Sequence, residues 1–342
     1  MDVNESVVWQ SGWQIGINCY NGGKNMNKYC FLGNNQLPIL RLGLGCMGMS
    51  EFYGKTNDKE SIDTLYRAYE LGVNHFDTAD VYGVKGHNEI LLGQAIKSFD
   101  RSKITIATKC GFVKDENNTI LGLNGAPEYI KKSCEASLKR LGVDYIDLFY
   151  LHRADPQTPI EDSMQALSQL VDEGKILNIG LSAVGPDTIL RAHKIHKLAA
   201  VQSEYSIWTR DAEFDVLSVC SGLGILFVAY SPIASGFLTG RLKSVNGLEQ
   251  NDLRRIIPRL NKDNIEHNLS IVDMLSNMAN KKGCTTVQVA LAWLLAQGDH
   301  ILPIPGTKRT TYLEENFGAL NVELSKDELN QLSSNIPFRF AK

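Results

Sequence analysis

The chain has 342 residues, with 35 basic and 38 acidic side chains spread along its length and a formal net charge of −3. No basic tract suits nucleic acid, no acidic tail stands out, and no segment reaches the ~18 continuous apolar residues of a membrane span. Seven cysteines, scattered without a CxxC pair, argue against a disulfide framework or a structural metal site, so no metal is expected and a reducing cytoplasm fits best.

Residues 1–25 carry acidic side chains near the start and no apolar run of signal-peptide length. They read as a disordered extension ahead of a single domain over 26–342. From Met26, MNKYCFLGNNQLPIL reads as two short strands around Gly33, Asn34 and Asn35, an N-terminal β-hairpin.

From Leu40 onward strand-like and helix-like segments alternate. The strands are expected at 41–45, 74–79, 104–109, 145–152, 176–183, 199–206, 225–231 and 301–306. Helical patterns lie between them, beginning KESIDTLYRAYELG after the first and ending TTYLEENFGAL after the last; two helices, NLSIVDMLSNMANKKG and VQVALAWLLAQG, follow the seventh. In PEYIKKSCEASLKRLG, Ile130, Cys134, Leu138 and Leu141 recur at helical spacing and form one apolar stripe. Nearly all-apolar strands joined by crossover helices point to a parallel sheet covered by helices, and eight such units can close an α/β barrel of the (β/α)8 TIM type.

An open doubly wound sheet is the competitor, because GLGCMG, Gly43 to Gly48, matches GxGxxG. In a dinucleotide fingerprint the glycines follow the strand and open a helix directly; here two fall inside the strand and the helix waits until about Lys59, so the barrel is the better reading. The stretch 243–262 reads as a long loop over the barrel mouth.

Barrel enzymes draw reactive groups from the C-terminal ends of strands and the loops that follow. Asp77, Lys109 and His152 stand at such ends, and Tyr82 lies in the loop after the second strand. A Tyr hydroxyl, with an ordinary pKa of about 10, is a poor acid near neutrality unless a cation stabilises the phenolate. Lys109 is expected to be that cation, with Asp77 keeping it charged and His152 orienting a carbonyl oxygen. Together they suit protonation of a developing alkoxide.

The stretches FDTADVYG, ATKCGF, LFYLHRAD, GLSAVG, VQSEYS, FVAYSPIASGFLTG and PIPGTKRTTYLEEN, in this order from about residue 27 onward, resemble the aldo-keto reductases. GCMGMS, SIWTR and IPGTKR are similar to the longer-chain aldehyde and ketone reductases that prefer NADPH. The resemblance implies a catalytic tetrad of Asp77, Tyr82, Lys109 and His152, with Tyr82 as general acid in NADPH-dependent reduction of a small carbonyl compound. It also implies NADPH across the barrel mouth: Met47 near the reacting end, Ser182 and Gln202 on the nicotinamide carboxamide, Tyr230 stacked on the ring, Ser231, Gly236 and Leu238 near the pyrophosphate, Gly306, Thr307, Lys308 and Arg309 on the adenosine 2′-phosphate, and Glu315 and Asn316 on adenine. A basic turn opening a helix suits phosphate physically, since free N–H groups and the positive helix end favour anions.

Ala183 stands where many members place a carboxamide-binding Asn; Gly306 and Tyr312 stand where shorter members have Lys and Arg. Met47, Tyr53, Phe112 and Trp208 suggest an apolar, aromatic-tolerant substrate pocket. Two alternatives remain: a weakly catalytic NADPH-binding regulator of the same fold, and a Schiff-base aldolase using Lys109. Cys110 is expected to be a small buried hydrophobe. Neither substrate identity nor the choice between monomer and homo-oligomer is legible.

Overall fold

A computed structural model describes residues 28–33 and 37–334. The expectation for residues 1–25 falls outside them.

Strands β1 (Tyr29–Cys30) and β2 (Ile39–Leu40) pair antiparallel, Tyr29 with Leu40 and Cys30 with Ile39. This is the expected hairpin, its turn at 34–36 lying outside the described residues. The barrel strands are β3 (Leu44–Gly45), β4 (His75–Asp77), β5 (Thr105–Cys110), β8 (Leu148–Leu151), β9 (Ile179–Ser182), β10 (Ala200–Glu204), β11 (Leu226–Tyr230) and β12 (Ile301–Pro303). They form one 8-stranded sheet in chain order, every ladder parallel. Gly45 bridges Gly306 in parallel and the Gly43 amide donates to Pro303 O at 2.9 Å, so the last strand returns to the first. All eight expected strands are present; seven are shorter than their apolar runs, and β5 keeps six residues but is shifted by one, to Thr105–Cys110.

The crossover helices are α1 (Asp58–Glu70), α2 (His87–Ile96), α3 (Pro127–Leu141), α4 (Ile160–Asp172), α5 (Pro186–Ile195), α6 (Val216–Leu223), α7 (Lys262–Lys282), α8 (Thr286–Leu295) and α9 (Thr310–Phe317). Local chemistry sets their ends. Asn57 caps α1 by accepting from the Glu60 amide; α3 opens on Pro127 and closes on left-handed Gly142; Thr285 and Gln288 make a reciprocal capping box on α8. Each helix turns an apolar face to the sheet. On α4 that face is Met164, Leu167 and Leu170, all fully buried, and each such side chain contributes roughly 1.5–3 kcal/mol.

Two elements were not anticipated. A small antiparallel hairpin, β6 (Phe112–Lys114) with β7 (Ile120–Leu123), rises beyond β5, and α10 (Lys326–Ser334) follows α9. No described helix is long and apolar enough to cross a membrane.

The core divides in two. A large cluster fills the space between strands and helices, while a smaller one lies inside the barrel and includes Ala107, Leu148, Tyr150, Ala200, Leu226 and Val228. Leu32 and Ile39 of the N-terminal hairpin belong to this inner cluster, together with Ala199 at the start of β10. The hairpin therefore plugs the end of the barrel where strands begin, leaving the opposite end open.

GLGCMG has a structural role that its pattern did not suggest. A Cβ on Gly45 would lie 2.9 Å from the Ile304 carbonyl oxygen, and one on Gly43 would lie 2.9 Å from His75 Cδ2. These glycines let the first strand approach its neighbours closely at the barrel seam.

Candidate active site

Side chains alternate along a strand, so the inner cluster identifies which register faces the barrel axis. Ala107 leads to Lys109, Leu148 and Tyr150 to His152, Ala200 to Gln202, and Leu226 and Val228 to Tyr230. The polar residues are thus the last inward positions of apolar strands. His152, Gln202 and Tyr230 meet at a cavity of about 900 Å³ at the open end, with Lys109 behind it.

The deepest element is a buried ion pair. Lys109 Nζ lies 2.5 Å from Asp77 Oδ1 and donates to Thr78 O at 2.7 Å, while Gln202 Nε2 donates to Asp77 Oδ2 at 2.7 Å. Lys109 is 0% exposed and is absent from the cavity wall. That arrangement removes the physical basis for the Schiff-base alternative, which needs an accessible neutral amine.

Tyr82 lines the cavity in front of this pair, its ring centroid 5.3 Å from Lys109 Nζ, and it meets the His152 ring edge-on at 5.8 Å. Burial first, and the Asp77 carboxylate second, push the Tyr82 hydroxyl well above its ordinary pKa, with Arg153 the leading opposing influence. The expected lowering by Lys109 is not among the leading influences, which are burial and the Asp77 carboxylate. That direction favours the protonated hydroxyl. Burial, then Lys109 and Arg153, hold His152 well below the ordinary imidazole pKa, so the ring is neutral. Among the described residues its buried Nδ1 has no hydrogen-bond partner.

Phe112 brings its ring within 4.9 Å of His152, and Tyr53, Met47 and Trp208 complete an apolar wall of the same cavity. Trp208 stacks on Phe237 at 4.6 Å. Tyr53 is fixed from several sides: its hydroxyl is 3.3 Å from Ser235 Oγ and Arg254 lies over its ring at 5.5 Å.

Beyond β11 the chain takes left-handed backbone at Ser231 (φ 50), Ala234 (φ 50), Ser235 (φ 54) and Gly236 (φ 87). So many left-handed residues in one turn are costly for side-chain-bearing residues, and such turns make concave backbone cradles that receive phosphate. Ser231, Gly236, Gly306, Thr307, Lys308, Arg309, Glu315 and Asn316 all border the cavity; Leu238 does not, being fully buried in the outer core. These features fit a dinucleotide: an apolar aromatic end beside Tyr230, a left-handed cradle, and a basic turn at the start of α9.

Several expected contacts are otherwise engaged. Ser182 Oγ accepts from Arg153 Nη1 at 3.1 Å. Lys308 Nζ donates to the carbonyls of Tyr53 (2.9 Å), Gly54 (3.3 Å) and Lys55 (2.5 Å), tying the turn before α9 to the β3–α1 connection. Arg309 is about half exposed, 3.7 Å from Glu60. Ala183 adopts φ 53, a left-handed conformation in which Asn is commonly favoured over Ala.

Sequence reasoning missed the arginines. Arg153 follows His152 and lines the cavity; Arg241 pairs with Glu315 at 2.8 Å, and Arg254 and Arg259 reach the cavity from the loop over the mouth. The position of Arg153 beside a strand-end His was the available signal. Cys110 is fully buried and its thiol pushed well up by desolvation, as a small core residue would be.

A model of the Aldo/keto reductase family matches residues 41–336. Over 307 residues, 90% of this chain and 88% of the relative, the sequence is 42% identical to a probable aldo-keto reductase from Glycine max. Among solved structures, a glycerol dehydrogenase from Gluconobacter oxydans superposes with a TM-score of 0.84 at 26% identity, over 93% of this chain and 98% of that one. A thermostable aldo-keto reductase in complex with the inhibitor epalrestat gives 0.72 at 30% identity, over 90% and 98%. With the barrel, the cavity at the strand ends and these matches, the chain belongs to the aldo/keto reductase family, oxidoreductases that act on carbonyl compounds with nicotinamide cofactors.

Proposed function

We propose that this protein reduces aldehydes or ketones to alcohols with NADPH, Tyr82 delivering the proton. The observation that carries the reading is the convergence of Tyr82, His152 and the buried Lys109–Asp77 pair behind them at one cavity that is also lined by a left-handed cradle and a basic turn. NADPH, when bound, supplies the hydride. Tyr82 gives its proton to the carbonyl oxygen as negative charge builds there, and His152 hydrogen-bonds the same oxygen and sets its orientation. Lys109, anchored by Asp77 and Thr78 O, holds a fixed positive charge behind the Tyr82 ring that eases phenolate formation as the proton leaves.

Ser182, Gln202 and Tyr230 would hold the nicotinamide end, with Met47 beside it. Ser231, Gly236 and the backbone at Leu238 would cradle the pyrophosphate, and Gly306, Thr307, Lys308 and Arg309 the 2′-phosphate. Glu315 and Asn316 would meet the adenine. Arg309, with its freer guanidinium, suits the 2′-phosphate best, which favours NADPH over NADH.

The test is NADPH consumption against a panel of aldehydes, ketones and quinones, run beside NADH, with Tyr82→Phe as control. Tyr82→Phe is expected to lose about 10²–10⁴ in kcat while NADPH quenching of intrinsic fluorescence is retained. Near-wild-type turnover in that variant would overturn the role of Tyr82, and slow turnover of every carbonyl with tight cofactor retention would instead favour the regulatory reading.

A further inference from the structure

We propose that Arg153 is an anion subsite within the carbonyl pocket, so that the substrate is a carbonyl compound that also carries a carboxylate; this rests on the reductase reading above. The case begins with the charges around the cavity. Arg241 is matched by Glu315 at 2.8 Å, Arg254 by Asp252 at 2.7 Å and Arg259 by Glu204 at 3.1 Å, while Lys109 is matched by Asp77. Lys308 directs its ammonium at the carbonyls of Tyr53, Gly54 and Lys55. Arg153 differs. Its Nη1 donates to His152 O at 2.6 Å and to Ser182 Oγ at 3.1 Å; both partners are neutral, and among the described residues no carboxylate lies within ion-pair distance.

A guanidinium carries five N–H donors, so these bonds leave part of the fork unmatched. A half-buried cation without a counter-charge is costly, and a bound carboxylate offsets that cost with charge-assisted, bidentate hydrogen bonds. The location sets the rest of the ligand. Arg153 adjoins His152 in the chain and its Cζ lies 5.9 Å from the Phe112 ring, which itself packs 4.9 Å from the imidazole. An anion on Arg153 and a carbonyl oxygen on His152 and Tyr82 therefore belong to one small molecule, whose carbon body lies against Phe112 and Trp208. Short oxo acids, semialdehydes and carboxylated benzaldehydes fit this description.

The experiment compares 4-carboxybenzaldehyde with its methyl ester, methyl 4-formylbenzoate, by NADPH oxidation at low ionic strength. The wild-type protein is expected to show a KM about tenfold or more lower for the carboxylate, and the advantage should shrink as salt is added. In Arg153→Met the ratio of the two KM values is expected to fall to about one, and Arg153→Lys should keep part of it. Because the ratio is internal to each variant, a general loss of activity from disturbing Ser182 or Tyr230 does not mimic it. Equal KM values in the wild type, or an unchanged ratio in Arg153→Met, would overturn the subsite while leaving the reductase reading intact. If neither aldehyde is reduced, the reductase reading is left to the wider carbonyl panel, and calorimetric titration of benzoate in the presence of NADP+ decides the subsite separately, with about tenfold weaker binding in Arg153→Met supporting it and equal binding overturning it.

Discussion

At the scale of single residues, the site works through protonation states that burial sets. Tyr82 is pushed above about 10 and His152 below about 6.5, so the acid keeps its proton and the imidazole stays neutral across the neutral range. The sign of the pH dependence follows. Under the proposed mechanism reduction needs protonated Tyr82 and neutral His152, so kcat/KM for the carbonyl should be flat from about pH 6.5 to 9, with an acid limb only where His152 begins to protonate. Alcohol oxidation needs ionised Tyr82 and should climb with pH over the same window. Initial rates in both directions at constant ionic strength check this; an alkaline fall in reduction centred near neutral pH would mean that cation stabilisation of the phenolate outweighs burial. The sequence made Tyr82, Lys109, Asp77 and His152 legible because each is the last inward position of an apolar strand or lies just beyond one. It did not reveal that Gln202 bonds Asp77 or that Arg153 reaches Ser182, since such contacts depend on which strand ends become neighbours around the rim.

At the scale of elements, two connections join the cofactor end to the substrate end. The β3–α1 connection carries Tyr53, whose carbonyl is held by Lys308 from the turn before α9 and whose ring lies beneath Arg254. Lys308→Met is therefore expected to raise KM for the carbonyl as well as weaken NADPH binding, because losing hydrogen bonds from a charged donor, each worth about 1.5–3 kcal/mol, frees the wall at Tyr53. Arg309→Met, which makes no such tie, should weaken NADPH binding with little change in the carbonyl KM. Steady-state kinetics with NADPH held saturating separates the two, and parallel effects of both variants would show that Lys308 acts on the cofactor alone. The two elements outside the alternating pattern have signals of their own. Phe112–Lys114 and Ile120–Leu123 flank DENN, a turn-forming run, and Ser325 and Glu328 form the reciprocal cap that opens α10. Both are short segments whose periodicity is weak beside that of the alternating strands and helices.

At the scale of the whole molecule, the barrel separates chemistry from stability by placing them at opposite ends. The open end gathers the polar last residues of the strands, while the N-terminal hairpin seals the other with Leu32 and Ile39, both fully buried in the inner cluster. The eight-strand count and the closed barrel were legible from the apolar runs and their crossover helices; how the seam is made was not, because between β3 and β12 it rests on backbone approach at Gly43 and Gly45 rather than on any side-chain pattern. This division makes a clean prediction for Leu32→Ala. Removing a fully buried Leu side chain from a plugged barrel end should cost about 2–5 kcal/mol, including the cavity it leaves, and lower the melting temperature by several degrees. Because the strands between the plug and Tyr82 are laddered in parallel on both sides, the loss should not be transmitted to the rim as a change in geometry. Thermal melts and steady-state kinetics at a temperature where both proteins are folded test both halves of the argument: a lower melting temperature with unchanged KM for NADPH and carbonyl is the expected result, and an altered KM at full folding would show that the inner cluster couples the plug to the site.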